Sequence, residues 1–353
     1  LQPKNKDEKF GTVTHGQLKV MLATQILESR QKKGGRDISY IYNVYNVYKE
    51  DSEKVGPKYS YSESFGALSD TFESLKKRLE SGEKYSHVVV MAMGWNNDQI
   101  ESTYRFNKII SNLKEEGGEE FKPLVIGITW PSVWGSVNDF ELVKFFNHII
   151  SYPNKANDAD EIGFTLANWI INKELPDALA KTKNKPKVVV IGHSFGARLL
   201  SRAVFSQEYI KDEKEGKSIV DLFIGLQGAF SANRFVNDEG VEGAPYANFA
   251  NVLGTKVVLT TSKHDLSNAS ARLITWASHV GGCFGLSVAE EHYIFKIVKW
   301  PEGVSNFKYE DKVVMVDAKD IVDGDKQLGL DPHNDILDKE MAELIWFFME
   351  KSN

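Results

Sequence analysis

The stretch that decides the reading is Pro186-Lys187-Val188-Val189-Val190-Ile191-Gly192-His193-Ser194-Phe195-Gly196-Ala197-Arg198-Leu199-Leu200. A short β-branched run enters a Gly-x-Ser-x-Gly pattern, and a helical pattern over Ala197–Tyr209 leaves it. In such a strand-to-helix turn the central serine is strained. Gly192 and Gly196, two positions either side, must lack a Cβ because the chain passes close to itself. The turn lifts the Ser194 hydroxyl above the carboxyl edge of a sheet, and the helix behind it aims its positive end at the same point. Glycine and serine are common, so the bare pattern arises by chance in roughly one chain in ten of this length. Its placement between a strand and a helix is what makes it informative.

A serine hydroxyl is a poor nucleophile until a base takes its proton, and the base needs a third group to hold its tautomer. In open α/β sheets such groups gather at the carboxyl ends of strands. Asp265 meets that condition, following the run Lys256–Thr261 by way of Ser262-Lys263-His264; Asp238, after the preceding strand, is the rival acid. His333 lies in Gly329-Leu330-Asp331-Pro332-His333-Asn334-Asp335-Ile336, between the last strand and the final helix. His15, His87 and His148 precede Ser194, against the chain order Ser, Asp, His. His193 sits inside the elbow, where its ring should point away from Ser194. His264, His279 and His292 have no strand-end rationale. Acyl transfer also needs two N–H groups for the oxyanion. One is expected from Phe195, the other from the loop Met93-Gly94-Trp95-Asn96-Asn97-Asp98, with Trp95 the preferred donor and Asn96 the alternative.

Outward from this centre, short apolar runs alternate with helical stretches. Strands are expected at Ile38–Tyr48 (one or two), Ser86–Met93, Leu124–Trp130, Leu222–Leu226, Lys256–Thr261 and Lys312–Val316. Helices are expected at Phe65–Leu79, Asn107–Leu113, Ile162–Asn172 and Ile336–Met349. This alternation predicts an α/β fold, a mostly parallel central sheet with helices on both faces. The predicted layout is an N-terminal extension over 1–37 and one domain over 38–353. Two inserts interrupt it, 131–161 with Trp134, Phe145 and Phe146, and 266–310 with Trp276 and Phe284. Their aromatic content and their positions after strand ends suggest a lid or the walls of an apolar acyl pocket.

Composition narrows the function classes. The 353 residues carry a formal net charge of −6 and are 42% hydrophobic, a globular composition without the basic excess of a nucleic-acid binder. A single cysteine, Cys283, excludes an internal disulfide framework and a Cys-rich zinc site. No apolar run approaches the roughly 20 residues of a membrane span. The chain starts at Leu1, which fits a removed leader or an artificial start, so localisation stays open.

With the Gly94-Trp95-Asn96 loop, the Ser194 elbow, Asp265 and His333 in this order, the chain resembles the α/β-hydrolase superfamily from about Ile38 to the C-terminus. It looks most like bacterial esterase- and lipase-like serine hydrolases carrying Gly-Trp-Asn and Gly-His-Ser-Phe-Gly-Ala-Arg. Those usually open the oxyanion loop with His-Gly; Met93 stands in place of that His, which puts the loop's support in question. The resemblance implies hydrolysis of a small-molecule carboxylic ester through an acyl-enzyme, with no cofactor and no metal. Acyl transfer or amide or thioester cleavage would use the same groups, and a non-catalytic binding module on this scaffold is a further alternative. No Gly-x-Gly-x-x-Gly follows an early strand, which argues against a dinucleotide-binding oxidoreductase.

Overall fold

The computed structural model describes residues 9–15, 18–27, 39–49 and most of 72–352. The stretches 133–154, 208–216, 237–239, 248–253 and 325–331 and a few single positions, Trp95 and Asn96 among them, lie outside that description. Among the described residues ten strands form one sheet: β1 (Lys9–His15), β2 (Leu18–Leu27), β3 (Ser39–Lys49), β4 (His87–Ala92), β5 (Pro123–Thr129), β6 (Lys187–His193), β7 (Leu222–Leu226), β8 (Lys256–Thr261), β9 (Phe295–Lys299) and β10 (Val313–Asp317). Their spatial order is β1-β2-β3-β5-β4-β6-β7-β8-β10-β9. From β3 to β9 every pairing is parallel, and β1 and β2 add an antiparallel edge. This is the mostly parallel, helix-covered sheet of an α/β-hydrolase fold.

Parallel strands buried on both faces need apolar residues at every position. β6 shows the consequence: Val188 and Val190 enter one core, Val189 and Ile191 the other. α1 (Gln99–Gly117) covers the second face with Phe106, Ile109, Ile110 and Leu113, beside α6 (Lys339–Lys351) with Met341, Leu344, Ile345 and Phe348. The first face is covered by α3 (Phe195–Val204) and by a longer helical segment, α2, over residues 155–179. Two further helices, α4 (Leu266–Thr275) and α5 (Cys283–Glu291), complete the crossover to β9.

The early aromatic run, expected as one or two strands, forms one, Ser39–Lys49. Elsewhere the structure departs from the sequence reading. The extension over 1–37 contains β1 and β2, whose antiparallel pairing carries the sheet beyond β3. The expected helix at Ile162–Asn172 runs over 155–179 and contains two π-helical turns, Gly163–Ala167 and Ile170–Glu174. Gly163 explains the close seat of this helix, since a Cβ there would meet the Leu199 carbonyl of α3. The segment 266–310 contains a sheet strand: β9 pairs in parallel with β10. Its five residues include Lys296 and Lys299, and only Phe295 and Val298 are buried, so the short edge strand lacks the apolar run of its neighbours.

Candidate active site

Ser194 stands between β6 and α3 with φ 55° and ψ −121°, one of three non-glycine residues with positive φ among those described. Such backbone costs on the order of 1–3 kcal/mol and persists only where its surroundings impose it. They do so here. A Cβ on Gly192 would lie 2.5 Å from Ala197 Cα, and one on Gly196 would collide with the Ala92 carbonyl. The Ser194 amide donates to Leu226 O at 2.9 Å, and its carbonyl accepts from the amides of Ala197, Arg198 and Ala229. The turn is therefore fastened to β4, β7 and its own helix.

Asp265 lies just past β8, fully buried, as the N-cap of α4. Its carboxylate receives four donors. Oδ1 accepts from the Asn268 amide at 2.9 Å; Oδ2 accepts from Asn268 Nδ2 at 2.8 Å, Gln227 Nε2 at 3.2 Å and His333 Nδ1 at 2.9 Å. That set matches the acceptor capacity of an ionised carboxyl group. The same aspartate thus caps a helix and orients a histidine. Its neighbours are held in turn: Thr260 Oγ1 donates to Gln227 Oε1, and His279 Nδ1 lies 3.2 Å from Asn268 Oδ1. Since Asn268 Oδ1 only accepts, His279 carries its proton on Nδ1. Burial, reinforced by Arg198 and Arg234, holds His279 down to about 4 despite the carboxylates of Glu242 and Asp265.

His333 sits in the short 3-10 turn Pro332–Leu337. With Nδ1 committed to Asp265, the ring presents Nε2 on its other side. The His333 ring packs on that of His193, the residue before Ser194, with centroids 4.7 Å apart. The structure therefore joins Asp265 to His333 and brings His333 to the neighbour of Ser194. Among the hydrogen bonds of the described residues there is none between Ser194 and His333. The rival acid Asp238 lies outside the described residues.

The loop after β4 approaches the serine closely: a Cβ on Gly94 would stand 2.7 Å from Ser194 Cβ and 3.2 Å from its Oγ. Trp95 and Asn96 lie outside the described residues, but both flanks of the pair are braced. Trp130 Nε1 donates to Met93 O at 2.8 Å, and Asn97 Nδ2 donates to Gly94 O at 3.0 Å. Ser132 Oγ donates to Asn97 O and accepts from the Asn97 amide. These bonds supply the support that Met93 itself does not. The Phe195 amide, at the first position of α3, points with the first-turn N–H groups toward the helix's N-terminal end.

The expected pocket aromatics fare differently. Trp134, Phe145 and Phe146 lie outside the described residues. Trp276 caps the far end of α4, 78% exposed, so a helix of about 15 Å separates it from Asp265. Phe284 lies half-buried under the Arg272 guanidinium, 3.7 Å from its ring centroid. Among the described residues no group of three or more His, Cys, Asp or Glu is placed to hold a metal ion, and no helix is long and apolar enough to cross a membrane.

Sequence reasoning missed the residues that surround Asp265 and His333: Gln227, Thr260, Asn268, His279 and His193. The spacing Asp265-Leu-Ser-Asn268, an Asp three residues before an Asn at a helix start, was the one readable sign.

The sheet order and the helices on its two faces give the chain an α/β-hydrolase-like fold. Comparison with known families agrees: residues 69–244 match the family described as "Alpha/beta hydrolase of unknown function (DUF900)". That stretch includes Gly94 and Ser194 and ends before Asp265 and His333. No curated protein matches the chain. Among solved structures it is similar to "The crystal structure of the gene lin2722 products from Listeria innocua", at 10% identity and a TM-score of 0.30, covering 65% of this chain and 98% of that one. A likeness this distant says nothing of chemistry.

Proposed function

We propose that the protein is a serine hydrolase that cleaves carboxylic esters through an acyl-enzyme. Ser194 is the nucleophile, His333 the general base and then general acid, and Asp265 the group that fixes the His333 tautomer and balances its charge. The observation that carries this reading is a histidine whose Nδ1 is bonded to a buried carboxylate and whose ring packs on the residue next to a strained serine in a Gly-x-Ser-x-Gly turn. In the first step His333 Nε2 takes the Ser194 proton as Oγ attacks the ester carbonyl. The oxyanion that forms is received by the Phe195 amide and by an amide of the loop after Gly94, Trp95 or Asn96. His333 then returns the proton to the leaving alkoxide, and water repeats the sequence on the acyl-enzyme. Phosphonylation tests the nucleophile: a fluorophosphonate should label wild-type protein at Ser194 and leave Ser194→Ala unlabelled. A screen of p-nitrophenyl esters of increasing chain length then defines the acyl preference. Labelling that survives in Ser194→Ala would remove the proposal.

A further inference from the structure

His193 has no part in the bond changes just described, yet its placement is specific. Alternation along β6 puts its side chain on the face of Val189 and Ile191, under α1 and the turn that bears His333. Its Nε2 lies 3.0 Å from the backbone carbonyl of His333. A carbonyl only accepts, so Nε2 carries the proton and donates. Nδ1 is buried and finds no partner among the described residues. The hydrogen bonding of this buried ring is thus spent on one atom, the carbonyl of the proposed base.

We infer that His193 is a positioning residue, a clamp from the elbow to the backbone of His333 that sets the distance between nucleophile and base. The inference rests on the hydrolase reading above. The turn Pro332–Leu337 has other attachments. Arg105 Nη1 donates to Asn334 Oδ1, the Gly324 amide to Asp335 Oδ2, and Asn112 Nδ2 to Leu337 O. Each fixes a residue other than the histidine. Asp265 holds the His333 ring, and His193 holds its main-chain carbonyl. The second contact starts from the residue bonded to Ser194, so nucleophile and base move as one unit. Burial, with His333 and Arg105 nearby, holds His193 well below the ordinary histidine range, so the ring stays neutral and adds no like charge beside the base.

The test compares His193→Phe, which keeps a ring without a donor, with His193→Gln, which keeps a side-chain N–H. In a p-nitrophenyl ester assay, kcat for His193→Phe should fall on the order of 10- to 100-fold with KM within about twofold, as misplacing a catalytic group does. His193→Gln should recover most of that loss. Nitrogen-15 NMR of the histidines in the wild-type protein should show His193 as the neutral Nε2–H tautomer, a result independent of whether either variant folds. An Nδ1–H tautomer, a His193→Phe enzyme within about threefold of wild type, or a Gln variant as impaired as the Phe variant would each overturn the clamp. If wild type itself is neither labelled at Ser194 nor active on esters, the hydrolase reading fails instead, and the tautomer still reports on the clamp.

Discussion

At the scale of single residues, the backbone of Ser194 is the strained point of the turn after β6. Its φ of 55° and ψ of −121° suit glycine, and the fold keeps a serine there. Ser194→Gly should therefore be more stable than Ser194→Ala by roughly 1 kcal/mol, because glycine relieves the strain that alanine retains. Parallel urea titrations of the two variants measure this, and equal midpoints would show that the turn stores no strain. The three proposed catalytic positions were legible because each sits beyond a strand end in the order Ser, Asp, His. Gln227 was not, and Asn268 showed only in its spacing from Asp265. Gln227 is a buried polar residue whose partner is 38 positions away, and no local pattern distinguishes an amide bonded to Asp265 from one facing water. His193 was read only as pointing away from the serine, since the turn reaching it from position 333 is a tertiary contact.

Elements are joined beneath the elbow by a closed ring of charges. Asp160 on α2 bonds Arg198 on α3 and Arg234 in the turn Ala232–Phe235; Glu242 bonds both arginines and the Ser231 amide. Burial pushes the Glu242 carboxyl up, but Arg234 and Arg198 outweigh it and bring it down to about 2. Asp160, where burial again opposes the two arginines, also ends below its usual value. Removing one carboxylate leaves two buried guanidinium groups sharing the other. Asp160→Asn should therefore cost about 3 kcal/mol or more, read from denaturant unfolding. A loss under about 1 kcal/mol would mean that solvent carries the charge of the arginines. The strands were legible from their apolar runs, as Leu222–Leu226 and Lys256–Thr261 show. β9 was not, because a five-residue edge strand with two lysines reads as part of an aromatic insert. The length of α2 was hidden too, since its π turns break the 3.6-residue period that marks a helix.

For the whole molecule, pH reports how well the fold excludes protons. Burial lowers His87 to about 4, with Lys187 adding to the effect, and His279 falls to the same value. Both are neutral in the folded chain at pH values where the unfolded chain, near 6.5, is protonated. The unfolded state then binds more protons, so stability present above about pH 6.5 is lost as pH falls toward 4. Between pH 7 and pH 5 the two histidines should each remove roughly 2 kcal/mol. Urea unfolding at the two pH values checks this, and an unchanged midpoint would contradict the buried neutral rings. The parallel sheet brings residues 94, 194, 265 and 333 to one edge, and the chemistry proposed for that edge leaves a covalent trace. Wild-type protein mixed with a p-nitrophenyl ester and quenched in acid during turnover should carry one acyl group, mapped by peptide mass spectrometry to Ser194. Ester turnover with no acyl adduct on Ser194, undiminished in Ser194→Ala, would contradict the account at its centre.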